Sequence, residues 1–526
     1  MLINIIGAKC QGIEALRVTV EVEICTGIGI HLVGLADTAV KESLLRTVTA
    51  LQALGFHIPG KKIVINLAPA DMHKRGGGYD LPIALGILAA SEQLTMPLID
   101  KYLIMGELGL DGSVREIEGA LSFAELALSL GLPGCILPRR SAMETTEMDG
   151  MPVFGVRSLG DAIRILSEGP SVCGDLLVGR SAAAAGGEGG GGAETDTLCG
   201  QECMDFSEII GQESAKRGME IAAAGGHNVL LMGVPGSGKS SLAKALAGIL
   251  PPMTREEALL TTKIYSVAGK GTGRSGLIRT RPVRAPHHSI SLPALIGGGS
   301  GENILPGEVS LAQGGVLFLD EFNQMPKSVI ESLRSPLEDR MVTISRLKAR
   351  IVYPASFMLV AASNPCPCGY WGEGEKCTCT PGQRLSYLSR LSGPILDRID
   401  IQLFLHPVDA AKLVNGERSE SSARVAARVA AARNVQRRRL EGSGIFLNSE
   451  MSSRDLERFC PLSQECKTLL ERIISSAGLS ARAYTRIVKL SRTIADLQNV
   501  PDILPAHIAE AASYRFLDRR PDAMRL

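Results

Sequence analysis

Aromatic residues are scarce in this sequence: they make up 4% of the chain, with a single tryptophan. Stacking bases on aromatic rings is therefore excluded as its main grip on a nucleic acid. Net charge is missing too, at +1, with 56 basic residues set against 55 acidic ones. A nucleic-acid partner would have to be met by local basic patches and not by the chain as a whole. No apolar run approaches the roughly 18 residues needed to cross a bilayer. The opening Met1-Leu2-Ile3-Asn4 starts no basic-then-apolar leader. These absences predict a cytoplasmic protein without membrane contact. Disulfides are then unexpected, and the 12 cysteines point to metal binding or plain burial.

What is present is apolar material, 45% of 526 residues, ample for sizeable cores. Ala182 to Thr197 reads A-A-A-A-G-G-E-G-G-G-G-A-E-T-D-T. Such a run buries too little surface to offset its chain entropy, so it predicts a flexible linker. The expected division is an N-terminal α+β domain over 1–166, a linker over 167–205, an α/β core over 206–408 and a helical lid over 409–526. In the first domain, Val18, Val20, Val22 and Ile24 alternate with Thr19, Glu21 and Glu23, a strand with one buried face. Further on, Asn228–Met232, Val316–Leu319 and Met358–Ala362 are short apolar strands separated by helical stretches. That alternation predicts a parallel sheet with crossover helices.

Gly233-Val234-Pro235-Gly236-Ser237-Gly238-Lys239-Ser240 fits the pattern G-x-x-x-x-G-K-S, after a strand and at the start of a helix that continues through Ser241. The glycines let backbone N–H groups wrap phosphate oxygens, and the helix N-terminus adds partial positive charge. Lys239 would reach the β- and γ-phosphates and Ser240 would hold Mg²⁺. The strand Val316–Leu319 ends in two carboxylates: Asp320 to bind Mg²⁺ through water, and Glu321 to polarise the attacking water. A third apolar strand ends at Asn364, whose amide could orient that water.

Loop, acidic strand and Asn-tipped strand resemble, in order and spacing, those of AAA+ ATPases. Ile209-Ile210-Gly211-Gln212 is similar to the segment that packs on adenine there. Leu396-Asp-Arg-Ile-Asp400 resembles the arginine-finger motif of the magnesium-chelatase and MCM branch, which implies that Arg398 reaches the γ-phosphate held by a neighbouring subunit. Ser480–Arg486 resembles the sensor-2 segment, with Arg482 the better match and Arg486 the runner-up. An arginine acting between subunits implies a ring, a hexamer.

Two stretches carry unbalanced positive charge. Between Thr261 and Gly301 stand Lys263, Lys270, Arg274, Arg279, Arg281 and Arg284, plus His287 and His288, with no acid, where the resembling branch carries a pore insertion. Val342–Tyr353 reads as a β-hairpin whose tip bears Arg346, Lys348 and Arg350. Lysine and arginine on such loops would grip DNA phosphates without reading sequence. The alternative is a solvated hairpin. Cys366, Cys368, Cys377 and Cys379 form two C-x-C pairs, which could make a tetrahedral structural Zn²⁺ site; iron–sulfur ligation or free thiols are the alternatives.

Gly106–Ile117 resembles a stretch of Lon-type protease domains, but Asp80 stands where the nucleophilic serine would be and Leu121 about where its lysine would be. The resemblance implies a Lon-like fold without acyl-enzyme chemistry. With Arg284-Ala-Pro-His-His-Ser289, Pro306–Ser310, Asn364–Gly369 and Ser392–Asp400, the chain resembles the ComM/YifB family of magnesium-chelatase-like AAA+ proteins. Membership implies an ATP- and Mg²⁺-dependent homo-hexamer, formed with ATP and DNA. It would drive branch migration in recombination and natural transformation on single-stranded or branched DNA, with a recombinase as a further partner. A magnesium-chelatase motor subunit and an ATP-dependent remodeller of a protein client are the competing readings.

Overall fold

The computed structural model describes residues 1–34, 38–74, 76–179, 204–271, 276–299, 304–346, 349–373, 376–408 and 419–518. The expected glycine-rich linker at 182–197, together with Arg274 and Lys348, lies outside the described residues.

The strands Leu2–Gln11 and Glu14–Cys25 pair as a long hairpin turned at Gly12. Their alternation buries Val18, Val20 and Val22 on one face. Against them packs Asp80–Ala90, a helix apolar all round beyond Asp80 and buried along its whole length. Eight strands join in the order Leu177–Val178, Val153–Val156, Cys135–Pro138, Leu103–Ile104, Leu2–Gln11, Glu14–Cys25, Lys62–Ala68, Gly29–Val33. This corrects the boundary at 166: the helix Leu159–Glu168 is followed by Leu177–Val178, which pairs antiparallel with the Val153–Val156 strand. Two residues are too few to display a period-two pattern.

The second sheet has five strands, all parallel, in the order Val283–Arg284, Val316–Leu319, Met358–Ser363, Val229–Gly233, Ile401–Leu405. The Val229–Gly233, Val316–Leu319 and Met358–Ser363 strands are buried on both faces, as a parallel sheet covered by helices requires. Met341–Arg346 and Ala349–Pro354 form a separate antiparallel hairpin. Among the described residues after 419 there are helices and no strands: Ser422–Arg439, Ser453–Phe459, Gln464–Ala477, Ala481–Leu497 and Pro505–Ser513. They share one apolar core with the sheet, through residues such as Val429, Ile487 and Ile494 beside Val229 and Leu403.

The two units meet along the helices Ala120–Ser129 and Arg255–Val267. Leu121 packs there with Met253, Ala258 and Leu277. Around this patch Lys263 pairs with Glu125, Arg279 with Glu147, and Arg255 Nη2 lies 2.5 Å from Asp149 Oδ2. Ile13, in the first hairpin's turn, packs against the cluster that holds Ile351 and Tyr353.

Candidate nucleotide site

The tips of three central strands converge. Gly236 and Gly238 have φ of +79° and +91°, and a Cβ at either would meet nothing within 4 Å. The backbone conformation, not crowding, therefore requires glycine. At Gly233 the reason is close approach: a Cβ would lie 2.7 Å from the Leu405 carbonyl of the neighbouring strand. The helix Lys239–Leu246 starts directly on Gly238, leaving its first N–H groups at the loop. Ser237 is buried, and its hydroxyl has no hydrogen-bond partner among the described residues. A buried orphan of this kind inside a glycine loop suits an anionic ligand.

Lys239 Nζ donates to the carbonyls of Gly233 (2.7 Å) and Val234 (2.9 Å) and to Asn364 Oδ1 (3.2 Å). Burial lowers its pKa, with Asp320 opposing. Ser240 Oγ donates to Asp320 Oδ2 at 3.0 Å, and Asp320 Oδ1 accepts from the Glu321 N–H at 2.8 Å. These sequence-derived residues thus come together around one point. Two hard oxygen donors, Ser240 Oγ and Asp320 Oδ2, suit Mg²⁺. Glu321 itself holds φ +50°, ψ +39°, an uncommon conformation for a non-glycine residue.

Two neighbours received no contact of their own from the sequence, although Gln212 stands in the segment similar to the adenine-packing one. His288 Nδ1 lies 2.9 Å from Glu321 Oε2. It stands in Arg284–Ser289, which was read as charge and as a mark of family resemblance but not as a partner of Glu321. Gln212, also at positive φ (+60°), donates from Nε2 to the carbonyls of Ser237 (3.2 Å) and His406 (2.6 Å), tying the phosphate loop to the end of the edge strand. Beside it, Ile209 is buried and Ile210 half-buried, and Ser241 is half-buried on the loop's helix.

Arg398 and Arg482 line a second cleft of about 180 Å³ with Glu338, Asp397, Thr485 and Arg486. Arg398 pairs with Glu338 and donates to the carbonyls of Arg334 (3.0 Å) and Pro394 (2.7 Å). Arg482 Nη1 donates to Asp397 Oδ2 at 2.7 Å, and its side chain is 65% exposed. Arg486 differs: it binds the buried Asp400 at 2.6 Å, beside the buried His227. Burial alone would raise the Asp400 pKa, but Arg486 and His227 hold it well below the usual carboxylate range.

Among the described residues of 261–301, every lysine and arginine stands near an acid once folded, which corrects the charge reading there. Besides the pairs of Lys263 and Arg279, Arg281 binds Glu257 (3.0 Å) and Arg284 binds Glu308 (2.5 Å). Lys270 lies 3.9 Å from Glu308 and remains 45% exposed. Several partners are distant in sequence, so local counting missed them. On the hairpin, Val342, Ile344, Ile351 and Tyr353 are buried, while Arg346 and Arg350 are exposed.

In the N-terminal unit Asp80 is fully buried and bound by Arg46 through Nε (3.0 Å) and Nη2 (3.4 Å), with a third bond from the Leu108 N–H at 3.2 Å. Leu121 lies in the apolar patch between units. Four cysteine sulfurs, of Cys366, Cys368, Cys377 and Cys379, lie within 4.8 Å of one another just beyond Asn364.

Three family profiles match the chain. Residues 205–413 match "Magnesium chelatase, subunit ChlI", residues 20–141 match "Subunit ChlI of Mg-chelatase", and residues 419–515 match "Magnesium chelatase, subunit ChlI C-terminal". The YifB protein of Salmonella typhimurium is 42% identical over 97% of this chain and 96% of its own length. The competence protein ComM of Haemophilus influenzae is 40% identical over the same shares, 97% and 96%. The magnesium-chelatase 38 kDa subunit of Rhodobacter capsulatus is 28% identical over 30% of this chain and half of its own length.

Proposed function

The chain belongs to the ComM/YifB family of magnesium-chelatase-like AAA+ proteins, and on that premise we propose that it is an ATP-driven, hexameric DNA translocase that promotes branch migration in recombination and natural transformation. The observation that carries the ATPase part is the convergence of two hydrogen-bonded pairs, Lys239 with Asn364 and Ser240 with Asp320, at the phosphate loop. Membership of the family implies ATP and Mg²⁺. Mg²⁺ held by Ser240 and Asp320 would neutralise phosphate oxygens. Lys239 would exchange its two loop carbonyls for the β- and γ-phosphates. Glu321 would take the proton of the attacking water as the bond between the γ-phosphorus and its bridging oxygen breaks, and Asn364 would hold that water in line. Arg398 would supply positive charge to a neighbouring subunit's γ-phosphate, which agrees with its side chain being held, among the described residues, by Arg334, Pro394 and Glu338 and not by the nucleotide site of its own chain.

The DNA part draws support from the exposed Arg346 and Arg350 on the hairpin, for which no ion pair exists among the described residues, and from the competence protein among the relatives. Lys270 is a weaker candidate, being close to Glu308. The Lon-like reading of the N-terminal unit stays within this proposal. With a buried Asp80 already bound by Arg46, that unit offers no serine–lysine dyad at the positions compared. The hairpin assignment is tested by the double variant Arg346→Ala, Lys348→Ala. Basal ATP hydrolysis should persist and its stimulation by DNA should vanish; full stimulation in the variant would remove the hairpin from the DNA path.

A further inference from the structure

The strand Met358–Ser363 ends at Asn364, and the next turns carry four cysteines of no part in ATP chemistry. Cys366 is fully buried and the other three are half-buried. Sγ of Cys366 lies 3.3 Å from that of Cys368 and 3.9 Å from that of Cys377, and the sulfurs of Cys368 and Cys377 are 3.7 Å apart. All four fall within 4.8 Å. The shortest separation is far longer than the ~2.05 Å of a disulfide. A regular tetrahedron of sulfurs around Zn²⁺, with Zn–S of about 2.3 Å, has edges of about 3.8 Å. The measured separations scatter around that edge. An iron–sulfur cluster, with several iron atoms between its thiolates, would hold some of these sulfurs further apart. The backbone also prepares the site for thiolate: the Cys368 N–H donates to Cys379 Sγ at 3.4 Å.

The same turn touches the nucleotide site in three places. Gly369, at φ +87°, lies so close to the phosphate loop that a Cβ would stand 3.0 Å from Pro235 Cδ and 3.1 Å from its Cγ. Asn364, which receives Lys239, is two residues before Cys366. After Cys379, Thr380 caps the helix Pro381–Leu388, and that helix reaches back to the turn following Glu321, where Asn323 Nδ2 donates to the Tyr387 carbonyl at 3.4 Å. The sulfur quartet is therefore the pin of a short loop that braces phosphate loop, Asn364 and the Glu321 turn together.

We propose that Cys366, Cys368, Cys377 and Cys379 form a structural Zn²⁺ site that holds the phosphate loop in its nucleotide-binding shape. Binding would replace the four S–H protons with one dication and leave it four-coordinate among the sulfurs, with no open position for catalysis. Without the metal the sulfurs take their protons back and the loop loses its pin, so Pro235 loses the surface it rests on. The bracing half of the proposal rests on the nucleotide-site reading; the metal half does not.

The test uses untagged full-length protein purified without chelator. Metal analysis should find about one zinc per chain and no iron, and the Cys377→Ser, Cys379→Ser variant should retain less than about a tenth of it. Because that variant could misfold, wild-type protein is also stripped by a chelator under reducing conditions and reloaded with Zn²⁺ alone, with circular dichroism recorded at each stage. Binding of a fluorescent ATP analogue should weaken at least about tenfold on stripping and recover on reloading. Absence of zinc with no uptake, iron in its place, or unchanged nucleotide binding after zinc is removed would each overturn the proposal. Failure of even the zinc-loaded protein to bind the analogue would instead overturn the nucleotide-site reading.

Discussion

Glu144 should make this protein less stable as pH rises. It is 1% exposed and lies where the N-terminal unit meets the second unit, with Gly271 and Ser266 against it. Burial pushes its carboxyl up from 4.5 to about 7; Ser266 pulls slightly the other way, and Glu116 adds to the rise. The folded protein therefore keeps this proton to higher pH than the unfolded chain does. The stability due to the protonated form is fully present below pH 4.5 and is lost as pH climbs through 7. At ~1.4 kcal/mol per pH unit, the loss reaches about 3 kcal/mol on the alkaline side. Glu144→Gln keeps the shape and removes the ionisation. Urea unfolding of wild type and variant at pH 5 and pH 8 measures the effect. The variant should gain up to about 3 kcal/mol over wild type at pH 8 and lie close to it at pH 5. A difference of equal size at both pH values would refute the reasoning, because the effect would then owe nothing to ionisation.

The two sensor candidates should part on stability. Arg486→Met leaves Asp400 buried beside His227 without its main partner, which should cost roughly 3–5 kcal/mol in urea unfolding. Arg482→Ala, at an exposed pair, should leave the unfolding midpoint in place while lowering ATP hydrolysis; the opposite pattern would exchange their roles. Lys239→Ala and Arg398→Ala should each be inactive alone, yet mixing the two proteins should recover part of the hydrolysis, because a ring places one intact site against one intact arginine. Mixtures no more active than either parent would place Arg398 outside any shared site.

How much of this could be read in the sequence depended on whether the cause was local. The strands Val316–Leu319 and Met358–Ser363 show as apolar runs, and the structure forms them with ends within a residue or so of expectation. The phosphate loop was legible because its positive-φ glycines leave a residue signature. The parallel pairing was legible as alternation, but the strand order was not, since nothing local says that Val229–Gly233 lies between Met358–Ser363 and Ile401–Leu405. Charge was misread for the same reason. Lys263 and Arg279 find their acids in the N-terminal unit, at Glu125 and Glu147, well over a hundred residues away. His288 was seen as one more basic residue, because its contact with Glu321 is made between neighbouring strand ends and not along the chain. The edge strand Leu177–Val178 was missed because it is only two residues long.

The most direct test of the central claim is steady-state ATP hydrolysis by the full chain with and without single-stranded, duplex and branched DNA, with Glu321→Gln as control. The account predicts strong stimulation by single-stranded or branched DNA, and a loss of at least about a hundredfold in the control, the scale of removing a group that acts only in the reacting state. Hydrolysis that is lost in the control but indifferent to every DNA would keep the nucleotide site and contradict the DNA translocase, turning attention to a protein or porphyrin client.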